Sequence, residues 1–388
     1  LLLHVLSQDK WKSNVTGNVL ANKPSMAPAQ RLVVAAARLW PWVFLGLLIL
    51  FFVIAVPATS DARFLTIRNS QNILVAITPV LLLGLGQTFV IISGGIDLSV
   101  GWVMSLASVL SALAIRAVFD AGMPLPVAAL AGFGAAVCGG AAVGLVNGTI
   151  IAKLKVPAFI VTLGTAFIVR GLALLWSENT TVIGLPAGIR DYGNESLIYR
   201  VAGEDGGWFF LTKPEVSREA LRGLDRILPY PVVITAVIVA LLILILHRTR
   251  FGRHTYAIGG NVQAAIRTGI PVDRHVIKLY MLCSATAGVA GFLSTIRFTA
   301  GSAVVGDPLL LSSIAAVIIG GVSLFGGAGT IIGTVIGSLI IAVLTTGLVM
   351  LNVQAFWQFI VVGVVVIVAV LIDQSRDMII NRTVRRGS

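Results

Sequence analysis

The chain has 388 residues, 57% of them hydrophobic and only 11% charged, with mean hydropathy +0.97. A soluble domain carries about 25% charged residues, and no soluble core of this length hides that much apolar side chain, so lipid must solvate most of the chain. The net charge of +12 would suggest nucleic acid in a soluble protein, but here the bases sit in short segments between apolar runs, which reads as membrane topology and not as a nucleic-acid patch.

Residues 1–39 form a polar tail with Lys10, Lys12, Lys23, Arg31 and Arg38. A cleavable signal would begin its apolar core sooner, so this tail is expected to be a cytoplasmic extension. A bilayer core needs roughly 20 apolar residues per helix. On that ruler about ten spans follow within 40–373. They lie near 41–58, 72–93, 98–117, 124–152, 156–175, 230–247, 278–296, 310–325, 330–351 and 355–372. The fourth is long enough to be tilted, or broken by its glycines. The expected fold is an all-α, polytopic membrane helical bundle.

Lys and Arg set the orientation. The segment 248–278 holds Arg248, Arg250, Arg253, Arg267, Arg274 and Lys278 against only Asp273. The link after span four carries Lys153 and Lys155, and the tail 374–388 carries Arg376, Arg382, Arg385 and Arg386. An even span count with both termini cytoplasmic puts all three inside. The insert 176–229 is then external, and its acids outnumber its bases. Within it, Thr212 to Glu215 resembles a capping box that opens a short amphipathic helix through Val216, Ala220, Leu224 and Ile227.

Glycines recur every fourth residue at Gly140, Gly144 and Gly148, and again at Gly329, Gly333 and Gly337. That spacing lines one helix face and permits close backbone approach. Val90 to Gly101 resembles Val317 to Gly326, as an internal repeat would, although this topology puts both on the cytoplasmic side, which an inverted repeat would not. Cys138 and Cys283 lie in apolar runs, and the four histidines are scattered, so neither disulfide nor metal spacing is present.

The chain lacks the P-loop pattern and the H-E-x-x-H and G-x-S-x-G motifs, and no intramembrane carboxylates recur as a proton relay needs. Energy must therefore come from elsewhere. In the basic segment, Asn261 is a good N-cap for a helix over 262–268 that Gly269 and Pro271 end. Gly259 and Gly260 allow a sharp turn before it. With small Ala264 and Ala265, such a helix suits a groove on a partner, or serves as an ordinary connector.

This stretch resembles the coupling loop of permeases in bacterial sugar ABC importers of the ribose, xylose and galactose class. The match runs through Gly252, Arg253, Tyr256, Ala257, Ile258, Gly259, Gly260, Asn261, Ala264, Ala265, Gly269 and Ile270. Three further stretches are similar to the same family: Gly94 to Gly101; Asn147-Gly148 with Lys155 to Gly164 and Arg170-Gly171; and Ala315 to Gly327. The resemblance covers most of 70–373. It implies a transport subunit and not an enzyme, in the bacterial inner membrane, pairing with a second permease copy or paralogue. It also implies a cytoplasmic ATP-binding-cassette ATPase that carries ATP and Mg, a periplasmic sugar-binding protein that holds most of the specificity, and no cofactor on this chain. Arg253, Gly259, Gly260, Asn261, Ala264, Ala265, Arg267 and Gly269 are the expected contacts to the ATPase. Gln87, Asp97, Ser99, Asn147, Thr162, Thr165 and Arg170 are the polar candidates for the pathway. Asp97 stands out as the one acid in 62–119, and each of the others would serve equally as an interhelical hydrogen bond. A permease for a non-sugar solute and a secondary transporter are the rival readings.

Overall fold

A computed structural model describes residues 28–59, 61–201, 207–211, 213–214, 223–365, 367–368 and 371. Pro41–Val370 forms one compact unit; of the other, Leu1–Trp40 with Leu371–Ser388, the described part is Leu371 and the opening turns of the first helix. Most of the tail 1–39, all of the tail 374–388 and the helix expected after Thr212 lie outside the described residues.

The long helices are α1 (Pro28–Thr59), α2 (Ile67–Ile92), α3 (Val100–Asp120), α4 (Leu125–Leu154) and α5 (Ala158–Trp176). After the insert come α7 (Tyr230–Arg248), α10 (Val272–Phe298) and α12 (Ile331–Met350), with the short α6 (Ile189–Asn194) inside the insert. Between α7 and α10 lie α8 (Arg250–Gly260) and α9 (Val262–Arg267); α11 (Leu309–Ile319) precedes α12, and α13 (Ala355–Val365) follows it. Among the described residues, eight helices are long and apolar enough to cross a membrane, α1 doing so over Leu39–Thr59. The fourth span is a single unbroken helix of 30 residues. The expected eighth span, 310–325, is half a helix: the 11 residues of α11 rise only ~16 Å. The apolar run continues, but the backbone turns at Gly321, which takes φ +82°.

The two chain reversals at α2 and α11 share one geometry. Gly94 N–H donates to Ile91 O and Gly95 N–H to Val90 O; Gly321 N–H donates to Ile318 O and Val322 N–H to Val317 O. Both are Schellman caps, with Gly94 and Gly321 in the left-handed conformation that glycine adopts at least cost. The resemblance between Val90–Gly95 and Val317–Val322 therefore encodes one local stop signal used twice.

α10 is the central strut. Gly140 and Gly144 of α4 lie against the backbone of Ser284 and Tyr280, and Gly148 against Ile277. α4 and α10 are thus antiparallel in close backbone contact. Gly333 and Gly337 do the same for α12 against Gly320 and Ala316, so α4 carries its glycine series as a packing face, while of the second series Gly329 lies in the loop before α12. Lys155 Nζ, 2.5 Å from Asp273 Oδ1, places the 153–155 link beside the start of α10. This basic end also carries α8 and α9.

The insert adds a small three-stranded sheet to the helical bundle. β1 (Ile198–Val201) pairs antiparallel with both β2 (Trp208–Phe210) and β3 (Leu224–Arg226), in the order β2-β1-β3. Leu224, expected on a helix face, is in β3. Alternation explains the strand: Tyr199 and Val201 are buried while Ile198 and Arg200 are half-buried. Asn194 Nδ2 donates to Arg297 O at 2.9 Å, docking α6 on the far end of α10.

Gly144 and Gly134 share α4, yet a Cβ at Gly144 would sit 2.7 Å from Met281 Cα, whereas one at Gly134 meets nothing within 4 Å. Gly144→Leu should therefore lower the thermal midpoint of the detergent-purified protein, by overpacking worth about 1–3 kcal/mol. Gly134→Leu should leave it unchanged.

Candidate functional site

The segment 93–99 turns back into the bundle after α2. Gln87 Nε2 donates to the Asp97 carbonyl, and Asp97 N–H donates to Gln87 Oε1 at 3.4 Å. One side-chain amide thus satisfies both backbone groups of a residue outside any helix. Asp97 Oδ1 accepts from Ser99 N–H at 2.9 Å and from Ser99 Oγ at 2.6 Å, and Asn147 Nδ2 of α4 donates to Ser99 Oγ at 3.0 Å. All four side chains are fully buried. Tyr280 donates to Ile96 O at 3.4 Å, and the Asp97 carboxyl sits beside Cys283. Cys283 lies five residues along α10 from Lys278, the last base of the basic segment, so the knot is ~8 Å in from it, inside the hydrocarbon thickness. Among the described residues, Asp97 Oδ2 and Asn147 Oδ1 have no hydrogen-bond partner.

Gln87, Asp97, Ser99 and Asn147 therefore form one hydrogen-bonded cluster. Thr162, Thr165 and Arg170 are not part of it; they lie along α5. Thr162 Oγ1 returns its hydrogen bond to Ala158 O in its own helix. Arg170 instead pairs with Asp307, 3.8 Å away. Asp307 was missed, although it is the one acid between Asp273 and Asp373, the same signal that singled out Asp97.

A second re-entrant segment, 299–308, enters from the end opposite to 93–99. It runs back along α3, where Ser302 N–H donates to Ser108 Oγ at 3.2 Å and Gly306 N–H to Ser105 Oγ at 2.9 Å. Val182 and Gly301 exchange backbone hydrogen bonds of 2.8 and 2.9 Å, which tie the insert to it.

At the basic end, Asn261 Oδ1 accepts from Ala264 N–H at 2.9 Å, capping α9 as expected. Ile270 N–H donates to Ala265 O and Gly269 N–H to Ile266 O, closing α9 at Gly269. Two expectations change. Gly259 and Gly260 are not a turn but the last residues of α8; Asn261 makes the turn with an extended backbone. The glycine at 259 answers a packing need, since any Cβ there would run into the Ile92 carbonyl and Gly327 N. Ala265 is buried against its own chain, whereas Val262, Ala264, Ile266 and Arg267 are exposed. Val262 and Ile266 are an outward apolar pair on one face that the alanine argument overlooked. Arg253 is exposed on α8.

α8 is anchored on three elements. Thr249 caps it through Phe251 N–H at 3.1 Å, Thr255 Oγ1 meets His275 Nε2 of α10 at 2.9 Å, and Tyr256 donates to Gly329 O at 2.7 Å. Burial pushes the Tyr256 phenol above its usual pKa, so it remains a donor at neutral pH. Gly327 N–H in turn donates to Ile92 O at 2.8 Å.

Removing the Asp97 carboxyl would strand the Ser99 donors in an apolar interior. Asp97→Ala should destabilise the detergent-purified protein by about 1–3 kcal/mol. Asp97→Asn, which keeps an oxygen acceptor, should lose clearly less; thermal unfolding followed by size-exclusion chromatography measures both.

Residues 69–370 match the family model described as branched-chain amino acid transport system / permease component. The chain is 35% identical over 332 residues to the ribose import permease protein RbsC of Escherichia coli strain K12, covering 86% of this chain and 94% of that protein. It is 34% identical over 369 residues to the xylose transport system permease protein XylH of Haemophilus influenzae, covering 86% and 95%. To the fructose import permease protein FrcC of Rhizobium meliloti it is 34% identical over 321 residues, covering 83% and 82%. No solved structure gives a significant match. With four-fifths of its length inside that family model and eight helices fit to cross a membrane, this chain belongs to the permease-component family of ABC import systems.

Proposed function

We propose that the chain carries a monosaccharide across the bacterial inner membrane as one of two permeases in an ATP-driven importer. The observation that carries this reading is the clamp at the basic end. α9 presents Val262, Ile266 and Arg267 outward, while α8 behind it is fixed to Ile92, His275 and Gly329. A push on α9 therefore reaches α2, α10 and the loop before α12 together. The basic end is then cytoplasmic, facing an ATPase that binds ATP and Mg. The chain makes ten crossings with both termini inside, when 299–308 with α11 counts as one and α13 as another. The insert and the α6 end of α10 face the periplasm, where a sugar-loaded binding protein docks. Sugar is favoured as cargo by the names of the relatives, and ATP drive over an ion gradient by the lack of a carboxylate relay in the sequence.

Purification of the chain in mild detergent, with mass spectrometry of its companions, tests the assembly. An ATPase and a periplasmic sugar-binding protein should come with it; the chain alone, with transport surviving ATP depletion, would mark a secondary transporter. An amino-acid-binding or nucleoside-binding companion would change the cargo.

Coupling between nucleotide and transport sites is worth roughly 5- to 150-fold. Ile266→Asp combined with Arg267→Glu should lower ATP-dependent uptake within that range while the protein level in the membrane is unchanged. Ala265→Asp, at a buried position, should instead lower the protein level itself.

A further inference from the structure

α3 and α11 both begin inside the bundle, and their starts meet. A Cβ on Gly101 would lie 2.8 Å from the Gly306 carbonyl and 3.0 Å from Leu310 Cβ. The next residues along each chain are Trp102 and Asp307. Trp102 stacks on Phe167 of α5, with ring centroids 6.4 Å apart and an interplanar angle of 27°. One turn along α5, Arg170 Nη2 stands 3.8 Å from Asp307 Oδ2. Phe167 and Arg170, three residues apart, share one face of the helix. An aromatic pair and an ion pair thus adjoin, and Phe167 is the tenth residue of the 19 in α5, about midway through the bundle.

Three observations set this cluster apart from a structural ion pair. The pair is loose and half-open, the Arg170 side chain being 43% exposed and that of Asp307 29%. Charge half-open to lipid at that depth is expensive, which places the face toward water or protein. Asp307 Oδ1 and Trp102 Nε1 are buried with no hydrogen-bond partner among the described residues, so hydrogen-bonding capacity is held in reserve. Finally, two helix N-termini converge at mid-depth, the arrangement in which transporters hold their cargo. A sugar ring offers an apolar C–H face for an aromatic ring, and hydroxyls that accept from a guanidinium and donate to a carboxylate.

We propose that Trp102, Phe167, Arg170 and Asp307 form a transit subsite for a monosaccharide midway across the membrane. The sugar ring lies on the aromatic pair, and its hydroxyls bridge Arg170 and Asp307 in place of their direct contact. This rests on the reading of the chain as a sugar permease.

The test uses the complete transporter, permease with its ATPase and binding protein, in proteoliposomes, with labelled D-ribose and D-xylose as probes. Asp307→Asn, Arg170→Gln and Trp102→Leu should each cut uptake by roughly tenfold or more. ATP hydrolysis stimulated by the loaded binding protein should persist, and Asp307→Glu should retain more uptake than Asp307→Asn. Unchanged uptake in all three variants would overturn the subsite. A parallel fall in uptake, hydrolysis and membrane level would also overturn it, because that is the signature of a structural pair. So would recovery in the charge-exchanged double variant Arg170→Asp with Asp307→Arg, since a latch tolerates exchange and a sugar-reading site does not. If the unaltered transporter moves neither sugar while hydrolysing ATP, the sugar reading fails first and takes the subsite with it.

Discussion

Backbone that leaves a helix inside hydrocarbon must find its hydrogen bonds within the protein, at a cost of several kcal/mol for each group left unpaired. Two segments of this chain, 93–99 and 299–308, do leave the helix there, and the polar residues of the bundle are arranged around them. Gln87 gives its amide to both backbone groups of residue 97. Ser105 and Ser108, one turn apart on α3, receive the N–H groups of Gly306 and Ser302. Asp97 and Ser99 close the first segment on itself, and Asn147 pins it to α4. These side chains would be misplaced in a bundle of uninterrupted helices. Here they are the partners that allow α3 and α11 to start at mid-depth.

In the proposed coupling, the re-entrant segments also carry the movement of the short helix α9 to a distance. α8 contacts Ile92, the last residue of α2 before the first segment, and Gly327 and Gly329 in the loop between α11 and α12. Ile92 and Gly327 are themselves hydrogen-bonded at 2.8 Å. The end of α2 and the loop between α11 and α12 are thus held at one point, with α9 capped and exposed on its outer side. In the proposed coupling, displacing that point would move α2 and the chain after α11 together, and both lead toward the meeting of Gly101 and Gly306. Packed interfaces pass such displacements as discrete shifts, because they resist continuous deformation.

Much of this was legible in the residues. Runs of apolar side chains place α4, α5, α7 and α12 within two residues of their ends, because hydropathy and helix length coincide there. The N-cap at Asn261, the stop at Gly269 and the glycine faces of α4 and α12 follow from local chemistry, and each is present. The eighth span was misread because hydropathy measures how much chain is apolar, not whether its backbone is helical; 320–325 is apolar and non-helical. The β-sheet of the insert was hidden because its strands are three or four residues long, too short for alternation to register against the flanking turns. Ala265 was assigned outward on size, but a six-residue helix with one buried face needs its small residue where it meets the bundle. Asp307 was overlooked because it lies just before the predicted span 310–325, among the residues between spans.

The most direct test of the account is uptake by the reconstituted transporter under a defined energy source. Proteoliposomes holding this chain with its ATPase and loaded binding protein should take up labelled sugar when ATP and Mg reach the ATPase side. A proton or sodium gradient imposed without nucleotide should give no uptake. Accumulation driven by either gradient in the absence of ATP would contradict the account, because the clamp between α8, Ile92 and Gly327 would then serve packing and not coupling.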